Sequence, residues 1–257
     1  MSKLNIVKIG GNVIENSKPL ESFLKDFANL KGDKILVHGG GKEASKLAEK
    51  LSVNVNIVDG RRITDSSSLE VITMVYGGKI NKFIVAKLQG LNCNAMGLSG
   101  ADGNSIIGVK RPIKEIDYGF VGDIDKINTS LFKLLLENKI TPVCCAMSHD
   151  GNGQLLNTNA DTIASVLAIE LSKLYDVTLS YCFEKKGVLT IEESGQKLLE
   201  LITPTSYLKL KSIGVINSGM IPKIDNCFNA LKSGVEIVKI GSPKIINGNE
   251  PHTKVTL

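Results

Sequence analysis

Lys8 lies in an apolar run and is followed at once by two glycines, Lys8-Ile9-Gly10-Gly11. A lysine in a buried strand needs a counter-charge, because burying an unpaired ammonium is costly. The alternative is a lysine at the strand edge that snorkels to solvent. Glycine lets a backbone come close to a ligand, and its bare N–H groups can face an anion. At a strand end before Gly-Gly, Lys8 therefore reads as a phosphate contact. A second apolar run, Ile35-Leu36-Val37, ends in His38-Gly39-Gly40-Gly41 and opens into helix-compatible sequence at Lys42. Three successive glycines cost more backbone entropy than a tight turn requires. The amide end of a following helix favours negative charge. Neither G-x-x-x-x-G-K-[ST] nor G-x-G-x-x-G occurs in the chain, so any phosphate chemistry here does not use the two standard signatures.

Three further clusters carry polar chemistry. Lys223 follows the turn-like Ser218-Gly219-Met220-Ile221-Pro222 and stands at the start of a helical pattern. Positive charge there opposes the helix dipole; an anion in front of the helix would remove that cost, although exposed lysines near helix ends are common. Asn157-Thr158-Asn159-Ala160-Asp161 places two amides and a carboxylate at the entrance of an apolar helix. Asn159 or Asp161 can be a simple cap, whereas a carboxylate near two lysines would hold both in place. Gly60-Arg61-Arg62-Ile63-Thr64-Asp65 offers an arginine fork that suits a carboxylate, beside Thr64 or Asp65 as a cap for the next helix.

The elements that must position these residues alternate. Strands are expected at 5–9, 34–37, 95–98, 142–146, 177–181 and 235–240, the last closing the pattern. Hairpin strands are expected at 105–109 and 120–124, and a hairpin turn at 150–153. Helical spacing marks 20–27, 44–51, 131–137, 161–171 and 224–231, and 66–88 with a break at Gly77-Gly78. Thr203-Pro204 reads as another helix start. Strands alternating with helices predict a three-layer α/β/α sandwich around a largely parallel central sheet. The 257 residues, 42% hydrophobic and 22% charged, suffice for one large domain or two lobes that share a sheet. The net charge of +5 comes with scattered lysines and no basic run, which speaks against a nucleic-acid partner and suits anionic substrates. Five cysteines without a C-x-x-C pair and three histidines without metal spacing point to reduced thiols, no metal site and a cytoplasmic setting. No apolar run reaches membrane-spanning length.

Taken in order, the clusters resemble the amino acid kinase family. The series is Lys8-x-Gly10-Gly11, His38-Gly39-Gly40-Gly41, Gly60-x-Arg62-x-Thr64, Gly97-Leu98-Ser99-Gly100-x-Asp102-Gly103, Phe120-Val121-Gly122-Asp123, Asn157-x-Asn159-Ala160-Asp161 and Ser218-Gly219-Met220-x-x-Lys223. It spans nearly the whole chain, and the Gly-x-Arg-x-Thr and Asn-x-Asn-Ala-Asp pair is similar to the branch that acts on N-acylated glutamates. The resemblance implies ATP-dependent phosphorylation of the γ-carboxylate of N-acetyl-L-glutamate, in the second step of arginine synthesis. N-succinyl-L-glutamate as acceptor and a catalytically silent sensor are the alternatives. It implies an N-terminal lobe, 1–172, for the amino acid and a C-terminal lobe, 173–257, for ATP. By position, Lys8 and Lys223 would touch the transferring phosphoryl group, and Asp161 would orient both. Gly10, Gly11, Gly40 and Gly41 would supply backbone N–H donors. Arg62 would clamp the substrate α-carboxylate, with Asn157 and Asn159 nearby. Mg²⁺ would be held mainly by the nucleotide phosphates. The family's Ser/Thr-Asp-Val triplet is missing from Thr178 to Gly187, where the adenine and ribose contacts are expected. The early first strand implies a homodimer without arginine feedback.

Overall fold

The computed structural model describes all residues except Asp59, Glu193, Ser194, Val215, Asn217, Ser218, Gly219 and Asn249, and the side chains of Ile191, Glu192 and Pro222. Ser218-Gly219 of the motif before Lys223 thus lies outside the described residues. An eight-stranded sheet organises the fold. Its order is Leu201–Ile202, Thr253–Val255, Ile237–Gly241, Asp176–Cys182, Lys3–Ile9, Asp33–His38, Thr141–Cys145 and Ala95–Leu98. Pairings from Ile237–Gly241 across to Ala95–Leu98 are all parallel. Thr253–Val255 runs antiparallel to Ile237–Gly241 and carries Leu201–Ile202 parallel to itself. Those two short strands, one before and one after the last expected strand, escape the sequence pattern; at two and three residues they have no readable period.

Parallel strands buried on both faces lose the alternation of a half-exposed strand and become continuous apolar runs. Lys34 to His38 and Thr141 to Cys145 are buried at every position, so helices cover the sheet on both sides. This is the expected sandwich. The core is built from residues such as Leu4, Ile6, Ile9, Phe23, Phe27, Ile35, Leu36 and Phe132. Each such side chain contributes about 2 kcal/mol on burial. A smaller four-stranded sheet contains the antiparallel pair Ile106–Lys110 and Gly122–Ile127, and the pair Met147–His149 and Leu155–Asn157 around the 150–153 turn.

The stretch 66–89 corrects an expectation. Gly77 and Gly78 do not break it: Ser66–Ile72 and Asn81–Gln89 are α-helical, and Thr73–Ile80 joins them as a π-helical segment. Ile72, Thr73 and Asn81 keep right-handed helical dihedrals across both joins. Glycines accept the wider turn, and single wide turns inside helices recur at functional sites. Asp65 caps the helix by accepting from the Ser68 N–H at 2.7 Å, so the capping alternative holds for Asp65. Thr203 forms a capping box with Ser206 ahead of Pro204, as its sequence indicates.

Candidate active site

Lys8 sits near the carboxyl end of its strand, in register with Val37 on one side and Tyr181 on the other. Its ammonium meets Asp161 Oδ1 at 2.7 Å, and Lys223 Nζ approaches Asp161 Oδ2 at 3.5 Å. Lys8 and Asp161 are both mostly buried, with side chains 12% and 13% exposed, and Lys223 is 33% exposed. Burial alone would push the Asp161 carboxyl up. The two ammonium groups outweigh it and hold it below its ordinary value. One carboxylate thus serves two cations and leaves about one positive charge uncompensated in a poorly hydrated corner. Such a charge calls for an anion.

Local sequence explains this placement. Asn159 Oδ1 accepts from the N–H groups of Asp161 and Thr162 at 2.8 and 3.1 Å, capping the Ala160–Leu171 helix. Asp161 lies in the first turn, where the helix end favours a carboxylate. The capping and the two-lysine alternatives for this motif are therefore divided between two residues. Lys223 is the third residue of the Ile221–Lys232 helix and also lies over the Phe183 ring, 5.7 Å from its centroid.

Two cavities meet here. The larger, about 540 Å³, is lined by Lys8, Gly10, Gly11, Asp161, Val188, Met220 and Lys223, among others. The smaller, about 360 Å³, is lined by Gly39, Gly40, Gly41, Arg62, Asn157 and Asn159, among others. All the predicted site residues therefore face one or both cavities. Gly11 and Gly41 open the Gly11–Glu15 and Gly41–Lys50 helices, so their N–H groups have no partner within the helix. Gly10 differs: its N–H donates to the Cys182 carbonyl at 3.0 Å, extending the sheet ladder, and is not free for phosphate.

Arg62 belongs to the short hairpin Ile57–Val58 with Arg61–Arg62. Its Nη2 donates to the Gly41 carbonyl at 2.9 Å and to Ser45 Oγ at 2.6 Å, which ties the hairpin to the glycine turn. Thr64 is fully buried and joins the parts: its hydroxyl donates to the Arg62 carbonyl and accepts from Asn157 Nδ2, both at 3.0 Å. The Gly-x-Arg-x-Thr motif and Asn157 are thus one hydrogen-bonded unit.

His38, to which the sequence assigns no role, is fully buried behind the second glycine turn. Its Nδ1–H donates to the Gly39 carbonyl at 2.8 Å, and Asn81 Nδ2 donates to its Nε2 at 3.1 Å and to the Val143 carbonyl at 2.9 Å. A carbonyl only accepts, so this is the neutral Nδ1–H tautomer. Gly97 explains itself in the same place: a Cβ there would overlap the Asn81 side chain. A histidine closing an apolar strand was the available signal; its partner Asn81, 43 residues on, carried none. Gly40 is likewise pressed by the π-helical segment, since a Cβ would lie 2.9 Å from the Tyr76 ring and overlap Ile80. Within the 178–187 stretch, Glu184 lines the larger cavity. All five cysteines are free and buried. Among the described residues no group of three His, Cys, Asp or Glu side chains is placed to hold a metal ion. Among them, too, no helix is long and apolar enough to cross a membrane.

The sequence model of the amino acid kinase family matches residues 3–242. The chain belongs to this family. It is 56% identical to the acetylglutamate kinase of Cytophaga hutchinsonii over 241 residues, which cover 93% of this chain and 91% of that protein. It is 49% identical to that of Bacteroides fragilis over 238 residues, with the same coverage, and 35% identical to that of Archaeoglobus fulgidus over 261 residues, 96% of this chain and 87% of the other. Among solved structures, the smu.665 protein of Streptococcus mutans superposes with a TM-score of 0.79 at 28% identity, covering 98% of both chains. N-acetylglutamate synthase of Neisseria gonorrhoeae, solved with coenzyme A and N-acetyl-glutamate, shares the fold with a TM-score of 0.83 at 21% identity, over all of this chain and 59% of that one. This amino acid kinase fold places the two cavities at the carboxyl ends of the parallel strands, where ligands of open α/β sheets collect.

Proposed function

We propose that this amino acid kinase transfers the γ-phosphoryl group of ATP to the γ-carboxylate of N-acetyl-L-glutamate, yielding ADP and N-acetyl-L-glutamyl 5-phosphate for arginine biosynthesis. The carrying observation is the Lys8–Asp161–Lys223 triad at the junction of two cavities, with surplus positive charge and half-free glycine amides around it. The acceptor carboxyl has an ordinary pKa of about 4.3 and is ionised at neutral pH, so the reaction needs no general base. It needs two anions aligned and the charge on the phosphoryl oxygens stabilised. Lys8 and Lys223 supply positive charge, and Asp161 fixes both ammonium groups without facing the phosphate. The N–H groups of Gly11, Gly40 and Gly41 donate to phosphoryl oxygens. Arg62, braced by Gly41 and Ser45, clamps the α-carboxylate, and Asn157, braced by Thr64, holds the acyl-amino portion. Asn159 has only its Nδ2 to offer, because its Oδ1 caps a helix.

The smaller cavity is formed by residues of 1–172, which we assign to the amino acid. Most of the larger one comes from 173–257 and takes ATP, with Val188, Leu189, Ile216 and Ile240 as its apolar wall. Mg²⁺ bound to the nucleotide phosphates would neutralise part of their charge. A cytoplasmic setting fits the five buried free thiols. Pairing of two copies is supported by the Ala95–Leu98 edge of the sheet, where Met96 is exposed, and by exposed Met74 and Phe83 on the adjoining helix.

An ADP-release assay with N-acetyl-, N-succinyl- and free glutamate, with hydroxylamine trapping of the acyl phosphate, tests the activity. Turnover is expected with N-acetylglutamate and its loss in Lys8→Ala. Turnover only with the succinyl compound would replace the acceptor, and silence with all three would leave a sensor.

A further inference from the structure

Four residues line both cavities: Lys8, Gly11, Gly41 and Lys42. A phosphoryl group passing from nucleotide to acceptor crosses where the cavities meet, so these four flank its path. The first three already have roles there. We propose that Lys42 is a further catalytic residue, whose ammonium contacts an oxygen of the transferring phosphoryl group. The proposal rests on the phosphoryl-transfer function above.

Lys42 stands second in the Gly41–Lys50 helix, where a cation opposes the helix dipole. A bound anion would reverse that disadvantage. Its side chain is 60% exposed, so core packing does not explain it. It is nevertheless held in place: its ammonium donates to Asn12 Oδ1 and lies 3.7 Å from Glu15 Oε1. Lys46 also comes within 4.0 Å of Glu15 but pairs more closely with Glu43, at 2.8 Å, so Glu15 chiefly serves Lys42 and fixes the position of its ammonium. Asn12 lines the larger cavity, which keeps the Lys42 ammonium on the nucleotide side of the junction.

In the step itself, an oxygen of the acceptor carboxylate forms a bond to the γ-phosphorus. The bond from that phosphorus to the β,γ-bridging oxygen breaks, and its electron pair leaves with ADP. No proton moves. Lys42 stays protonated and spreads the charge of the equatorial oxygens, as Lys8 does from the end of the neighbouring parallel strand.

The test compares wild type, Lys42→Met and Lys42→Arg by steady-state kinetics, and by affinity for AMP-PNP and for ADP. Wild-type turnover comes first, since its absence would overturn the function and not the placement of Lys42. Given turnover, Lys42→Met should lower kcat about 100-fold, at the low end of the range found when one charge-stabilising donor is removed. Lys42→Arg should recover most of it. Lys42→Met should weaken AMP-PNP binding more than ADP binding, because only the former carries a γ-group. A kcat within twofold of wild type would overturn the proposal. So would equal loss of both nucleotides, matched by Asn12→Ala, since Lys42 would then only brace the loop.

Discussion

Asp161 keeps its charge in a place where burial alone would have removed it, and two lysines are the reason. The same local logic, run in the other direction, governs His38. Burial pushes its imidazole down to about 4, against the opposing bond to Gly39. The neutral ring offers Nε2 as an acceptor to Asn81, and protonation would abolish that bond. An unfolded histidine titrates near 6.5. As pH falls from there toward 4, the unfolded chain gains a proton that the native chain refuses, so stability declines through that window. One such group is worth about 2 kcal/mol between pH 7 and pH 5. Urea unfolding at these two pH values should show the loss, and His38→Gln should flatten the difference. A wild-type midpoint that stays level over this range would rule out a neutral buried ring.

At the scale of elements, the glycine turn and the π-helical segment are one device. Gly40 has no room for a side chain because Tyr76 and Ile80 press against it. Gly40→Ala must therefore displace either the wide helical turn or the glycine N–H groups that we assign to the phosphoryl oxygens. Overpacking of this kind costs about 1–3 kcal/mol. Thermal unfolding should register that cost, with the acceptor KM rising or kcat falling by more than the nucleotide KM changes. Gly78→Ala, two residues before Ile80, meets open space and should leave activity intact. Equal tolerance of both substitutions would separate the turn from the helix.

These elements also show what a sequence can disclose. The glycine-rich strand ends were legible because buried apolar runs and lone lysines obey simple solvation rules. Lys8, Asp161 and Lys223 were individually ambiguous and became informative as a set. Gly77-Gly78 misled, because glycine destabilises an isolated helix while tertiary contacts with Gly40 and Gly41 reward the wider turn. The Gly10 amide was counted as a ligand donor because no local rule shows that Cys182, far along the chain, takes it. The His38–Asn81–Gly97 contact was hidden for the same reason. Its members meet only when three separate strands and a helix are assembled.

For the whole molecule, the Ala95–Leu98 strand ends the sheet with an open edge, and the exposed Met74, Phe83 and Met96 lie on the elements around it. Open apolar edges invite pairing with another chain. Light scattering at micromolar concentration should give twice the chain mass, and a Phe83→Glu, Met96→Lys double variant should give one chain with unchanged chemistry per site. A wild type that scatters as a single chain would exclude the pairing.

The neighbouring strands Lys3–Ile9 and Asp33–His38 end in the two glycine turns, one assigned to the donor and one to the acceptor. Adjacent strands lie about 4.8 Å apart. The sheet is therefore a ruler: backbone hydrogen bonding, which no surface substitution alters, sets the separation of donor and acceptor. The hairpin carrying Arg62 and the loop carrying Phe183 and Glu184 can then diversify without disturbing that distance. A scaffold built so can exchange one acceptor or nucleotide for another and keep the same transfer geometry.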